Sequence, residues 1–139
     1  MSDLEQRISA SFRSQGLMTL LGAELTHVSE GEVHIALSPR PELWSRKEHV
    51  HAGVLTSVMD SACGYAAMTM AAPGIDVLTA EFAIKFLRPA VHADRFIAVG
   101  KVTAMTGTVT MCKGELFGER AGQRELIAVM NATLTRLPA

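Results

Sequence analysis

Asp60 is the only charged residue between Ala52 and Met70, a stretch otherwise made of Val, Leu, Met, Ala and small polar residues. Wound as a helix at about 100° per residue, Gly53, Thr56, Ser57, Asp60, Ser61 and Gly64 share one arc of roughly 140°, with Ala67 and Met68 inside it and Thr69 outside. A solvated helix face usually carries Lys, Glu and Arg; this one carries Ser, Thr, Gly and a single carboxylate, a surface that another backbone or a ligand can approach closely. A buried carboxylate there can activate water. Upstream, His51, Ala52 and Gly53 stand where a loop enters the helix, and the first backbone N–H groups of a helix have no intrahelical acceptor. Such groups stabilise an oxyanion through hydrogen bonds and the positive end of the helix dipole. Together these are the parts of an acyl hydrolase. The competing reading is that Asp60 is only the wet edge of an amphipathic helix.

Other residues are weaker candidates for chemistry. Glu48-His49-Val50-His51 offers carboxylate and imidazole ligands, but an extended His-x-His without a further placed ligand makes a poor metal site, so no metal is expected. Cys63 falls on the apolar side of the helix, where a thiol behaves as a small hydrophobe rather than a nucleophile. Met59, Met68, Met70, Met105 and Met111 suit core filling or an adaptable acyl pocket. Arg46, Lys47, Lys85 and Arg88 can bind phosphate if they stand at a cleft mouth, and otherwise are solvated surface charge.

The elements that position Asp60 follow from periodicity. Leu4, Ile8 and Phe12 recur every four residues, predicting a helix over 4–15 that stops at Gly16 and covers a sheet edge. "GAELTHVSEGEVHIALS" alternates on either side of Ser29-Glu30-Gly31 and reads as a hairpin. Residues 38–51 lack a sustained period and form a loop with one helical turn near Trp44. After the helix, Pro73-Gly74 breaks the chain and four strands follow, over 76–88, 95–105, 108–117 and 125–136. In the first, Leu78, Ala80, Phe82, Ile84 and Phe86 are expected on one face and Thr79, Glu81 and Lys85 on the other. Short connections imply antiparallel pairing, and no βαβ units force a parallel sheet, so the class is α+β. Apolar residues at the outward positions Ile97, Val99, Ile127 and Val129 need cover, which predicts a homo-oligomer.

Composition narrows the function classes. The chain has 139 residues, suiting one domain, and a formal net charge of −1 with no basic run longer than Arg46-Lys47, which argues against a nucleic-acid groove or a polybasic membrane patch. Two cysteines make no disulfide scaffold, Asp60 disfavours a membrane span, and the charged N-terminus lacks the apolar core of a secretory signal, so a cytoplasmic location is expected.

"HAGVLTSVMDSACGYAA", with the later "TAEFAIKFLRPA", resembles the hotdog-fold acyl-CoA thioesterases of the phenylacetate-pathway (PaaI-like) branch, from about Leu17 to Leu137. The resemblance implies a hotdog fold, in which a curved antiparallel sheet wraps a long helix; length gives one such domain over 1–139, with 1–16 as an N-terminal helix covering an edge. The resemblance also implies a dimer with two active sites at the subunit interface, often doubled to a tetramer. Asp60 would be the catalytic carboxylate, directing water or attacking the thioester carbonyl itself. The amides of Ala52 and Gly53 would polarise that carbonyl, and His51 would order the loop or contact substrate. Thr79, on the facing subunit, would help hold the water. Ser45, Glu48, Ser57 and Ser61 would contact the substrate, an aromatic or medium-chain acyl-CoA. No cofactor is implied, since coenzyme A is part of the substrate. Three positions depart from the family pattern: Ala52 replaces a glycine, Ser45 an asparagine and Glu48 a glycine. The alternatives are a hotdog hydratase or dehydratase, disfavoured by the lack of a recognisable hydratase motif, and a non-catalytic acyl-CoA-binding module, which would bind ligand without releasing thiol.

Overall fold

In the computed structural model, which describes residues 1–137, two helices precede the sheet. α1 (Asp3–Ser14) is capped by the Ser2 side chain, which accepts from the Glu5 N–H. The chain does not simply stop at Gly16. Gln15 takes an extended conformation and α2 (Gly16–Leu21) starts at once, ending on left-handed Gly22. Ile8 and Phe12 of α1 and Met18 and Leu21 of α2 enter the core. Arg7 donates to the Met68 and Ala71 carbonyls, tying α1 to the end of the long helix.

β1 (Glu24–Ser29) and β2 (Glu32–Leu37) form the expected hairpin. The following loop holds a 3-10 turn at Pro41–Leu43 and a small ladder of β3 (Trp44–Arg46) with β4 (His49–Val50). The long helix α3 spans Ala52–Thr69, and β5 (Asp76–Phe86), β6 (Arg95–Thr106), β7 (Val109–Arg120) and β8 (Gln123–Leu137) complete the sheet. Its six strands run in the order β1-β2-β6-β7-β8-β5, all pairs antiparallel. The last hairpin turns through Ala121 and Gly122, both at positive φ, so its strands run further into "GERAGQ" than alternation predicts.

Leu55, Val58, Met59, Ala62, Cys63, Ala66 and Ala67 of α3 are buried against the sheet. The contact is closest at Gly100 of β6, where an added Cβ would overlap the carbonyl group of Ala62 and lie 2.7 Å from the Cys63 nitrogen. Gly114 of β7 leaves similar room for the Cys63 sulfur, 3.1 Å from where its Cβ would be. Two glycines thus let the α3 backbone sink onto the strands. At the far end of the helix, buried Thr69 accepts from the Gly31 N–H at 2.7 Å and holds the β1–β2 turn against it.

The outward apolar positions behave differently from expectation. Ile97 and Val99 do face outward, yet with Ala36 they are buried in a small cluster packed with Phe117. Arg124 lies 5.7 Å over the Phe117 ring. Ile127 does not face outward at all: it is the extra residue of a bulge in β8 and packs in the main core. Val129 is half-buried, and exposed apolar side chains group at the free edge by β5, where Leu78, Phe82, Phe86 and Leu87 lie, with Leu17, Leu20, Met105 and Met111 exposed elsewhere.

Gly100→Ala should force α3 off the sheet and destabilise the fold by about 3 kcal/mol, the upper part of the overpacking range, read as a lowered urea midpoint. An unchanged midpoint would mean that the helix has slack at this contact.

Candidate active site

Asp60 is half-buried rather than buried, and faces a cleft of about 480 Å³ between α3, the α1–α2 junction and the start of β5. Its Oδ1 accepts a 2.7 Å hydrogen bond from the Thr79 hydroxyl of the same chain. This corrects two expectations. Thr79 does not need a facing subunit to reach Asp60, and it does not lie opposite the Phe82–Ile84–Phe86 face. The register of β5 against β8 slips between Thr79 and Glu81: Thr79 pairs with buried Leu134, and Phe82, Ile84 and Phe86 pair with Ala132, Met130 and Ala128, also buried. With Ala80 as the extra residue, everything before it changes face, so Leu78 turns out and Thr79 turns in toward the helix.

Ser57, about one turn before Asp60, and Ser61, the residue after it, line the same cleft. Ser57 donates to the Gly53 carbonyl and Ser61 to Gln15 Oε1. Gln15 in turn donates to the Tyr65 hydroxyl at 3.0 Å, and Ser11 reaches the same oxygen at 3.3 Å. Leu17, Met68, Val77, Leu78 and Leu134 supply the apolar lining. Periodicity missed Gln15 and Tyr65; the one local sign was a polar residue placed next to Gly16, where the first helix was expected to end.

The other expected site residues lie at the N-terminal end of α3. His51 is its N-cap, and its Nδ1 accepts from the Gly53 N–H at 2.8 Å. In this chain that amide is therefore engaged by protein. Among the described residues, the Ala52 N–H has no acceptor. Ala52 is the first helical residue and does not have positive φ, so a glycine is not needed there. Asp60 is seven positions beyond Gly53 on the helix, about 10 Å along the axis, too far for both to touch one carbonyl. Ser45 in β3 and Glu48 in the β3–β4 turn lie away from the Asp60 cleft. Ser45 donates to the His49 carbonyl, and Glu48, at φ 62°, lines a second cavity with Trp44 and His92. The left-handed backbone of Glu48 is one that glycine adopts without strain.

Glu48, His49 and His51 do not converge as ligands: His49 Nδ1 is 2.8 Å from the Lys47 carbonyl, and His51 Nδ1 serves the helix cap. Cys63 and Cys112 are both buried. Burial pushes the Cys63 thiol well above its usual range, with Cys112 and Asp60 adding to the rise, and burial alone takes Cys112 up to about 12. Neither offers a thiolate near neutral pH. Of the cations, Arg88 is paired with Glu125 at 2.7 Å, while Arg46, Lys47 and Lys85 are exposed.

The pattern of the thioesterase superfamily matches residues 47–124, which include the whole of α3 and the Asp60–Thr79 pair. The chain belongs to that superfamily. A thioesterase family protein from Silicibacter pomeroyi is 34% identical and superimposes with a TM-score of 0.93 over 98% of this chain and 99% of its own. The PaaI protein of the E. coli phenylacetic acid degradation operon is similar in structure at 20% identity, with a TM-score of 0.88 over 98% and 94% of the two chains. A thioesterase from Haemophilus influenzae gives 17% identity and a TM-score of 0.85 over 99% and 92%. No curated protein matches. The fold is thus the hotdog fold, PaaI-like in architecture, and the protein is a thioester hydrolase. Among the described residues, no helix of this thioesterase is long and apolar enough to cross a membrane.

Thr79→Val keeps the β-branched shape and removes the hydroxyl, so it should lower turnover about tenfold with little change in thermal midpoint. Steady-state kinetics beside a melting curve would check this; unchanged turnover would make the hydrogen bond merely local.

Proposed function

We propose that this thioesterase hydrolyses acyl-coenzyme A to free acid and coenzyme A, with Asp60 as general base. The observation that carries this reading is the carboxylate held by Thr79 in a cleft with both polar and apolar walls. The Thr79 proton is committed to Oδ1, which leaves Oδ2 to take a proton from water. The hydroxide adds to the thioester carbon, an oxyanion forms, the carbon–sulfur bond breaks, and Asp60 returns the proton to the departing thiolate. Water is the only co-reactant, so the reaction calls for no cofactor. Leu17, Met68, Val77 and Leu134 suit a compact aromatic or medium-chain acyl group, while Ser57 and Ser61 contact its polar end. Exposed Arg46, Lys47 and Lys85 are available to the phosphates of coenzyme A.

The oxyanion donors come from a second copy in this reading. Asp60 and the amides of Ala52 and Gly53 are about 10 Å apart on one helix, so a single chain supplies two half-sites. The exposed Phe82, Phe86 and Leu87 and the unpaired edge of β5 favour joining two copies there, where sheet pairing would continue. Closure would bring the helix start of one copy to the carboxylate of the other, with the His51 ring either yielding the Gly53 amide or leaving Ala52 as donor. A dimer, or a dimer of dimers, follows. Protonated buried thiols and a coenzyme A substrate fit the cytoplasm.

Asp60→Asn keeps the side-chain shape and should cut release of free coenzyme A by about a hundredfold or more across a panel of acyl-CoA esters followed with a thiol reagent. Retained turnover would remove Asp60 from the chemistry; ligand binding by the unaltered protein without any thiol release would mark a binding module instead. Phe82→Glu with Phe86→Glu should yield a folded monomer by light scattering, without turnover. A fully active monomer would overturn the shared site.

A further inference from the structure

On the face of the sheet turned away from α3, and at the opposite edge from β5, two histidines and a glutamate converge. His27 of β1 stands directly opposite His34 of β2, and Glu32 lies two residues before His34 on the same face. One ligand atom from each lies within 4.8 Å of the other two. The register explains why. Leu25 and Val28 both pack against the core although three positions apart, because β1 carries an extra residue, Thr26, between Leu25 and His27. That bulge turns His27 outward onto His34; strict alternation would send it inward with Leu25.

We propose that His27, Glu32 and His34 form a binding site for a divalent transition-metal cation of the zinc class. Two imidazoles and one carboxylate are a ligand set that Zn2+ accepts, with water completing a tetrahedron. The side chains are already oriented toward one another: the rings of His27 and His34 lie 4.5 Å apart, and His34 Nε2 is 2.6 Å from Glu32 Oε2. A metal ion would replace the proton shared in that contact. Lys101 approaches the other carboxylate oxygen, Oε1, at 3.9 Å, which leaves Oε2 for the ion. Ser29 Oγ, 2.8 Å from His27 Nε2, steadies the ring. Metal–nitrogen bonds of about 2.0–2.1 Å place tetrahedral ligands roughly 3.3 Å apart, so closure requires about 1.5 Å of movement. His27 is exposed and the other two half-buried, and their rotamers can supply that movement while the ladder holds the backbones.

Five strand spacings, about 24 Å, separate β1 from β5, and the site lies on the other face of the sheet from Asp60. The ion therefore acts as a clamp on the edge hairpin rather than as a participant in hydrolysis. Purified protein stripped with a chelator and titrated with Zn2+ by calorimetry should bind one equivalent per chain. His27→Ala, His34→Ala and Glu32→Gln should each weaken binding about tenfold or more, while His49→Ala leaves it unchanged. Zn2+ should raise the thermal midpoint of the unaltered protein and not that of His34→Ala, with thioester turnover the same in both. No saturable binding, or binding that survives His27→Ala combined with His34→Ala in protein whose circular dichroism is native, would overturn the site.

Discussion

The architecture depends on how closely the α3 backbone approaches the sheet. Gly100 and Gly114 provide a floor without side chains at the crossing, so the helix sits lower than ordinary packing allows and its depth is set by backbone contact. That contact fixes the rotation of the helix as well as its height. With Ala62 and Cys63 pressed onto β6 and β7, Asp60, Ser61, Ser57 and Gly64 lie half-buried along the side that leads to β5 and the α1–α2 junction. A carboxylate on an otherwise apolar helix is tolerated there because it faces the cleft and not the core.

A second device recurs around that floor. The six-stranded sheet contains single-residue insertions in β1, β5, β6 and β8, and three of them determine which side chain faces which way. In β5 the insertion turns Thr79 onto Asp60. In β1 it turns His27 onto His34, and in β8 it draws Ile127 into the core while Phe117 remains outside to cover Ile97. Each insertion costs ladder regularity and yields a side chain aimed where alternation would not put it. The Asp60–Thr79 pair and the histidine pair are in this sense products of the same physical effect.

The proposed sharing of the site between two copies follows from length. A helix long enough to cross the sheet separates its N-terminal amides from a carboxylate in its middle, so the proposed donors and base cannot meet on one copy. The edge at which that proposal joins a second copy is also where apolar residues of β5 remain exposed. N-terminal Gln15 closes the other end of the cleft through Ser61 and Tyr65, which makes the α1–α2 junction part of the pocket and not merely a cover for the core.

Amino-acid order alone settles the α+β class, the six strands, the long helix and the narrow polar arc with Asp60 at its centre, because all of these depend on local periodicity, which neighbouring residues impose on one another. The turn at Pro73-Gly74 and the helical turn before Trp44 are legible for the same reason. The break at Gln15, with a second helix behind it, is less so, since a glycine signals a stop without saying what comes next. The face on which Thr79 and His27 lie, the capture of the Gly53 amide by His51 and the entry of Gln15 into the pocket required the folded chain. A bulge leaves no mark in a pattern of alternating residues, and one inserted residue reverses every assignment on one side of it. Contacts between residues distant in sequence arise only when the strands have paired and the helix has settled on its glycines.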